Sequence, residues 1–435
     1  MFSCTCLFFL APLTAIGQVK SAAIDKWIEA HIDGVVDDYI HLHQNPEVSF
    51  QEKETAAYMA AAWREAGFTV TERVGGFGVV AVLENGKGPT VMLRTDLDAL
   101  PVSEATLLPY ASKATVTTAS GATSGVMHAC GHDIHMSNLI GVARFMSSHK
   151  DAWRGTLLLI GQPAEERGSG ARAMLDDGLF KRFPRPDHAL ALHCESTTPT
   201  GTVAVSPGYS LANVDSVDII VKGQGGHGSA PETTIDPVVQ AAELVIALQT
   251  IVSREIKPGN PAVVTVGAIN GGTKHNIIGN SCHLQLTVRS YTDEVREKLL
   301  AAIKRKAEAV AAGHRAPKPD VRFSEGTPAL RNDDALTARA VESFRAAIGS
   351  ENVLPMEPVM GGEDFSQYGL AGVPIVMYRL GVIAPDRLAA MNAREQQPPS
   401  LHSAEFYPDP VEALTTGMDT MIHATLDLLP VGSRN

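Results

Sequence analysis

The chain has 435 residues, 44% hydrophobic and 19% charged, which excludes a collagen-like or wholly disordered protein and leaves room for two or three domains of ~100–200 residues each. Its 36 basic against 48 acidic residues give a formal charge of −12, which argues against nucleic acid or an anionic membrane as the main partner. Five cysteines, with Cys4 and Cys6 near the start and Cys130, Cys194 and Cys282 widely spread, form no disulfide framework, so burial or thiol chemistry is expected of them.

Residues Cys6 to Gly17 are uncharged and largely apolar, too short for a bilayer span of ~20 residues. They read as the apolar stretch of a secretory signal, which would make the protein periplasmic or secreted. The alternative is a frayed start to a cytoplasmic chain, because no positive charge precedes them. Residues 1–20 are therefore set apart as a leader. Amphipathic helices are expected from Ala22 to about His43 and from Glu52 to Ala66. Gly78–Leu83 and Thr90–Leu93 read as a strand pair joined by a turn containing Asn85-Gly86 and Pro89. Ala111–Gly125 reads as an irregular loop and Asp133–His149 as a helix. Thr156–Ile160 and His188–Leu192 are buried-strand runs, with a short helix near Gly170–Asp176 between them. Strands alternating with helices imply an α/β domain with a largely parallel central sheet.

The rhythm then changes. Val214–Val221, Pro237–Arg254, Ala262–Ala268, His283–Val288, Asp293–Ala312 and Asp320–Phe323 read in the order βαββαβ of a ferredoxin-like α+β unit. A helix at Asp333–Ile348, a strand at Pro374–Tyr378 and a helix at Pro410–Leu429 resume the first rhythm. The expected organisation is one domain made of 21–212 and 325–435, with 213–324 inserted into it.

Metal-binding residue types cluster directly after predicted strands, where open α/β sheets place their ligands. Asp96 and Asp98 follow one strand, Glu165 and Glu166 another, and His193 a third. Any one acidic pair would more often be a helix cap or a solvated loop; three strand ends on one rim shift the balance. Cys130-Gly131-His132 adds a thiolate and an imidazole two residues apart before a helix, both good ligands for zinc and similar ions. Adjacent glutamates suit a division of labour, one binding metal and the other taking a proton from water. In the inserted unit, Gly225-Gly226-His227-Gly228 follows a strand; it is either a flexible turn with an exposed histidine or an imidazole donor aimed at a developing oxyanion.

Several ordered motifs carry a family resemblance from about His41 to the C-terminal helix. They are Leu42-His43-Gln44-Asn45-Pro46-Glu47, Leu93-Arg94-Thr95-Asp96-Leu97-Asp98, His128-Ala129-Cys130-Gly131-His132-Asp133 and Gln162-Pro163-Ala164-Glu165-Glu166. Further on stand Gly226-His227-Gly228-Ser229, Gly361-Gly362-Glu363-Asp364-Phe365 and Leu401-His402-Ser403-Ala404-Glu405. The chain resembles the amidohydrolase branch of the aminoacylase and carboxypeptidase metallopeptidase superfamily, which includes hippurate hydrolases and the plant indoleacetyl-amino-acid hydrolases.

The resemblance implies a metallopeptidase-like catalytic domain with a central sheet flanked by helices, and makes the inserted unit a lid and dimerisation domain. It implies that Cys130, His132, Glu166, His193 and His402 hold two divalent ions of manganese, zinc, cobalt or nickel. It makes Glu165 the catalytic base and Asp96 the acid that orients the metal cluster, with Arg94 where other branches carry a metal-binding histidine. His227, Asn276 and Arg289 match groups that the lid brings to the substrate, the histidine often reaching a partner subunit's site in a homodimer. The Asn276 segment lacks the family's usual proline, which bears on the shape of its loop. The activity implied is hydrolysis of the amide bond of N-acyl amino acids or related small conjugates. Dipeptidase or metallo-carboxypeptidase action is the alternative, and a catalytically silent ligand-binding relative a more remote one.

Overall fold

The computed structural model describes residues 13–118, 121–324 and 326–431, with side chains from residue 21 onward. The leader expected over 1–20 lies outside them, save for the backbone at the start of the first helix, Leu13–Gln44. Among the described residues no helix is long and apolar enough to cross a membrane. The chain divides into two units, one of 1–206, 333–356 and 373–435, the other of 207–332 and 357–372.

The first unit is built on an eight-stranded mixed sheet. Its order is Thr69–Val74, Gly78–Asn85, Gly155–Gln162, Thr90–Asp96, His188–Pro199, Ile375–Ile383, Val203–Ala204 and Val353–Leu354. The central pairs are parallel and the strands read as near-continuous buried runs, as expected where both faces are covered. Leu13–Gln44, His132–Ser148, Asp334–Ile348 and Pro410–Leu428 pack together, and one core joins them to the sheet through Leu93, Leu159, Leu190 and Tyr378.

Two local expectations are corrected. Gly78–Asn85 and Thr90–Asp96 are not a hairpin, because Gly155–Gln162 lies between them, antiparallel to one and parallel to the other. The true hairpin partner of Gly78–Asn85 is Thr69–Val74, whose mix of threonine, valine and the charged Glu72 and Arg73 hid an exposed edge strand. A turn-like Asn-Gly thus marked the end of a strand and not a hairpin. Within the stretch read as an irregular loop, Thr115–Thr117 and Thr123–Gly125 pair.

The second unit is a four-stranded antiparallel sheet in the order Ala262–Gly271, Ser281–Ser290, Asn213–Lys222, Asp320–Phe323. Pro237–Thr250 and Asp293–Gly313 cover one face, burying Val217, Ile219, Leu244, Leu284, Leu286 and Leu299 in a second core. Asp236 and Thr292 cap these helices, each side chain accepting from a first-turn N–H. The βαββαβ order and the antiparallel arrangement are those of a ferredoxin-like unit. Residues 357–372, expected with the catalytic part, group here because Val359 bridges Leu211 and Arg289 Nη1 donates to the Met360 carbonyl at 2.7 Å.

Candidate metal centre

The first unit brings Cys130, His132, Glu165, Glu166, His193 and His402 together. Candidate donor atoms of Cys130, His132 and His193 lie within 4.8 Å of one another, as do those of His132, Glu165 and Glu166 and those of Cys130, Glu166 and His402. Cys130 Sγ is 3.6 Å from His193 Nε2, and His402 Nε2 is 3.5 Å from Glu166 Oε1. Gly131 separates the cysteine from the histidine at φ +78°, and a Cβ there would lie 2.7 Å from Cys194 Sγ. Only glycine allows that turn with so close an approach. His402 also has positive φ, and its N–H donates to the Ala129 carbonyl at 2.8 Å, tying its loop to the Cys130 segment.

The backbone decides which face of each imidazole meets the site. His132 Nδ1–H donates to the Asp98 carbonyl at 2.7 Å and His193 Nδ1–H to the Cys194 carbonyl at 2.8 Å, so both Nε2 atoms are turned toward the cluster. His132 Nε2 and Glu166 Oε1 are buried without a hydrogen-bond partner. Such atoms are costly unless something outside the chain satisfies them.

The electrostatics point the same way. Burial disfavours the charged form of His132, but the carboxylates of Asp96, Glu166 and Asp98 outweigh it and lift its pKa to about 9. Burial, opposed by His132 and reinforced by Asp98 and Asp96, raises Glu166 to about 7. Burial and the surrounding carboxylates push the Cys130 thiol well up. Burial keeps His193 and His402 toward the neutral, ligating form, whereas Cys130, His132 and Glu166 hold protons that a cation would displace, and thiolate, imidazole and carboxylate are ligand types for zinc and related ions. The residues therefore fit a divalent metal centre.

Asp96 sits behind the cluster. Its Oδ2 accepts from Arg94 Nη1 at 2.7 Å and lies 3.7 Å from His132 Nε2, and its Oδ1 accepts from His135 Nδ1 at 2.7 Å. His135 Nε2 in turn accepts from the Cys194 N–H at 2.9 Å, which fixes its tautomer and keeps it out of the donor set. Burial opposes the charge of Asp96, yet His132, His135 and Arg94 hold its carboxyl well below the usual range.

Asp98, an acid after a predicted strand to which the sequence assigns no role, acts here on the backbone of the glutamates. Its Oδ1 accepts from the Glu165 N–H at 3.1 Å and its Oδ2 from the Glu166 N–H at 3.0 Å and from Ser49 Oγ at 2.6 Å. One buried carboxylate thereby sets the backbone of both glutamates while its own carbonyl orients His132. Glu52 steadies the same turn, accepting at 2.8 Å from the N–H of Ala164, a non-glycine residue at φ +50°. Acids after a strand were the available signal; which backbone N–H groups they serve follows only from the fold.

The second unit holds the other three expected residues, and it separates them. Gly226–His227 pairs with Ile277–Ile278, which places His227 beside Asn276 beyond the Ser281 end of a central strand. Ser229 donates to His227 Nδ1 from its N–H at 3.1 Å and lies 2.7 Å away through Oγ, so a neutral His227 carries its proton on Nε2, ready to donate. Asn276 Oδ1 is buried and unpartnered. Arg289 lies near the other end of that strand, about 25 Å away at roughly 3.3 Å per residue, with Nε on Thr287 Oγ1 and Nη1 on the Met360 carbonyl.

With this geometry, residues 92–398 match the model of peptidase family M20/M25/M40. The chain belongs to that family and is a hydrolase of amide bonds. It is 36% identical over 329 residues to an N-acetyl-L-cysteine deacetylase of Bacillus subtilis, a match spanning 75% of this chain and 76% of that one. It is 37% identical over 328 residues to a hippurate hydrolase of Campylobacter jejuni, spanning 74% and 82% of the two chains. A solved structure of a Bacillus subtilis protein described as a dinuclear metal-binding peptidase of the M20 family superposes with a TM-score of 0.75 at 29% identity, over 92% of this chain and 99% of that one.

Proposed function

We propose that the protein hydrolyses the amide bond of N-acyl amino acids or related small conjugates. The observation that carries this is the pairing of Glu165 with a donor set whose buried His132 Nε2 and Glu166 Oε1 lack partners, in a chain related to a deacetylase and a hippurate hydrolase.

Cys130, His132, Glu166, His193 and His402 would hold two divalent ions. Those ions would supply Lewis-acid polarisation of the carbonyl and make water more acidic. Glu165, fixed through its N–H by Asp98, takes a proton from the attacking water as oxygen bonds to the acyl carbon. The C–N bond then breaks and Glu165 returns the proton to the leaving nitrogen. Asp96 keeps its charge beside His132 and holds His135 in place. His227 donates from Nε2 to the developing oxyanion, and Asn276 and Arg289 bind the substrate from the second unit. The distance between the two ends of that unit's sheet supports a homodimer in which the partner supplies His227 together with its neighbour Asn276.

A panel of hippurate, N-acetyl amino acids and dipeptides, assayed with Mn²⁺, Co²⁺, Ni²⁺ or Zn²⁺, tests the substrate class. Preference for the acylated substrates supports the proposal; turnover of dipeptides alone replaces it with a dipeptidase. Mixing His227→Ala with Glu165→Gln tests sharing between subunits, since a hybrid dimer recovers one intact site.

A further inference from the structure

A charged residue interrupts the buried strand Ile375–Ile383. Val376, Tyr378 and Leu380 face the main core, as do Leu190, Leu192 and Cys194 of the neighbouring parallel strand. Arg379 pairs in register with His193, so the alternation of strand side chains places both on the opposite face, side by side. Its register partner on the other flank is Ala204, which is small and uncharged. Arg379 is only 7% exposed, yet among the described residues its guanidinium has neither a hydrogen bond nor an ion pair. The nearest acid on that face by register, Glu195, turns away and accepts instead from Thr197 N–H at 3.1 Å and Thr197 Oγ1 at 2.9 Å.

A largely enclosed guanidinium that reaches solvent only narrowly and has no protein counter-charge is poised to take an anionic ligand. It also stands beside His193, one of the candidate metal ligands. A cation kept beside a metal-ligand candidate is not explained by structure alone. Its planar fork suits a carboxylate held by two parallel hydrogen bonds.

We propose that Arg379 binds a carboxylate of the substrate beside the candidate metal centre and so selects for anionic substrates. The inference rests on the amidohydrolase reading and adds a specificity residue in the first unit, separate from Arg289. The carboxylate has two possible sources, the α-carboxylate of the amino-acid half or an acid on the acyl chain.

Two substrate pairs distinguish them: an N-acyl amino acid against its α-amide, and an N-succinyl against an N-butyryl amino acid amide. In Arg379→Met, kcat/KM for the carboxylate member of one pair is expected to fall about 10–100-fold while its neutral partner changes by less than about 3-fold, with metal per chain unchanged. Arg379→Lys should lie between, and Arg379→Gln replaces Arg379→Met if the latter does not fold. Equal losses within both pairs, or no loss in either, overturn the proposal. Wild-type turnover of N-acyl amino acids reports separately on the functional reading. If the wild type cleaves none of them, calorimetric binding of succinate and of N-acetylglycine to the wild type and Arg379→Met decides the role of Arg379 alone, unchanged affinity refuting it.

Discussion

Two buried polar clusters meet at the start of the His132–Ser148 helix, and consecutive residues belong to different ones. His132 faces the candidate metal centre. Asp133 faces a second cluster, where His43 Nδ1 is 2.7 Å from Asp133 Oδ2 and His43 Nε2 is 3.2 Å from Glu104 Oε1. In the second cluster the carboxylates are matched: Asp133 Oδ1 accepts from the Ile134 N–H, and Glu104 takes the Ser112 N–H and the Thr106 hydroxyl. The first leaves His132 Nε2 and Glu166 Oε1 open. Charged residue types are common to both, so composition does not separate a binding site from a structural tie. Whether the histidine and its carboxylates bond to one another, as His43 does and His132 Nε2 does not, separates the two.

The sharpest separation comes from the open cluster. Glu165→Gln should lower kcat/KM by about 10²–10⁴-fold with metal content retained, whereas His132→Asn should lose activity and bound metal together. Activity assays with elemental analysis on the same preparations check both. If His132→Asn keeps its full metal complement, the open cluster is not the centre.

The closed cluster should respond in stability. Burial opposes the charge of His43, but Asp133 and Glu104 raise its pKa from 6.5 to about 9. The folded value lies above the unfolded one, so this contribution is complete below about pH 6.5 and lost as pH rises through 9. His43→Gln should cost on the order of 3 kcal/mol near pH 6, with the penalty shrinking toward pH 9. Denaturant titrations at three pH values measure it. A pH-independent penalty would mean that packing, and not the ion pairs, ties the helices there.

Asp98 serves the open cluster without belonging to its donor set. Asp98→Asn should reduce metal affinity or kcat/KM about 10–100-fold while leaving the fold intact, a smaller loss than that from Glu165→Gln. The smallest effect is expected far from both clusters. Cys282, buried in the core of the second unit, should tolerate alanine at a cost of about 1 kcal/mol with no change in bound metal. Loss of metal in Cys282→Ala would contradict the assignment of thiol ligation to Cys130.

The candidate donors other than His402 were legible because each follows a strand end or stands in a short glycine-punctuated motif. Periodicity had no means of finding His402, more than two hundred residues beyond His193, and only the family resemblance pointed to it. Arg379 left a signal that went unread, a charge inside a continuous apolar strand. Asp98 was visible as an acid but not as a positioning group, because the N–H groups it holds are 67 and 68 residues away. The Gly78–Asn85 and Thr90–Asp96 strands were found as strands and paired wrongly, since the strand between them comes later in the chain.

The sequence by itself determined the alternation of elements, the ferredoxin-like insertion and the residue types that could bind metal, because apolar periodicity and side-chain chemistry are local properties. Tertiary structure decided what depends on distant partners. It set the order of strands, the direction each imidazole faces and the polar atoms left open. It also separated a histidine held between two carboxylates from one turned toward the candidate metal centre. A backbone carbonyl brought 2.7 Å from His132 Nδ1 settles which nitrogen can bind a ligand, and the fold brings that carbonyl in from a residue 34 positions away.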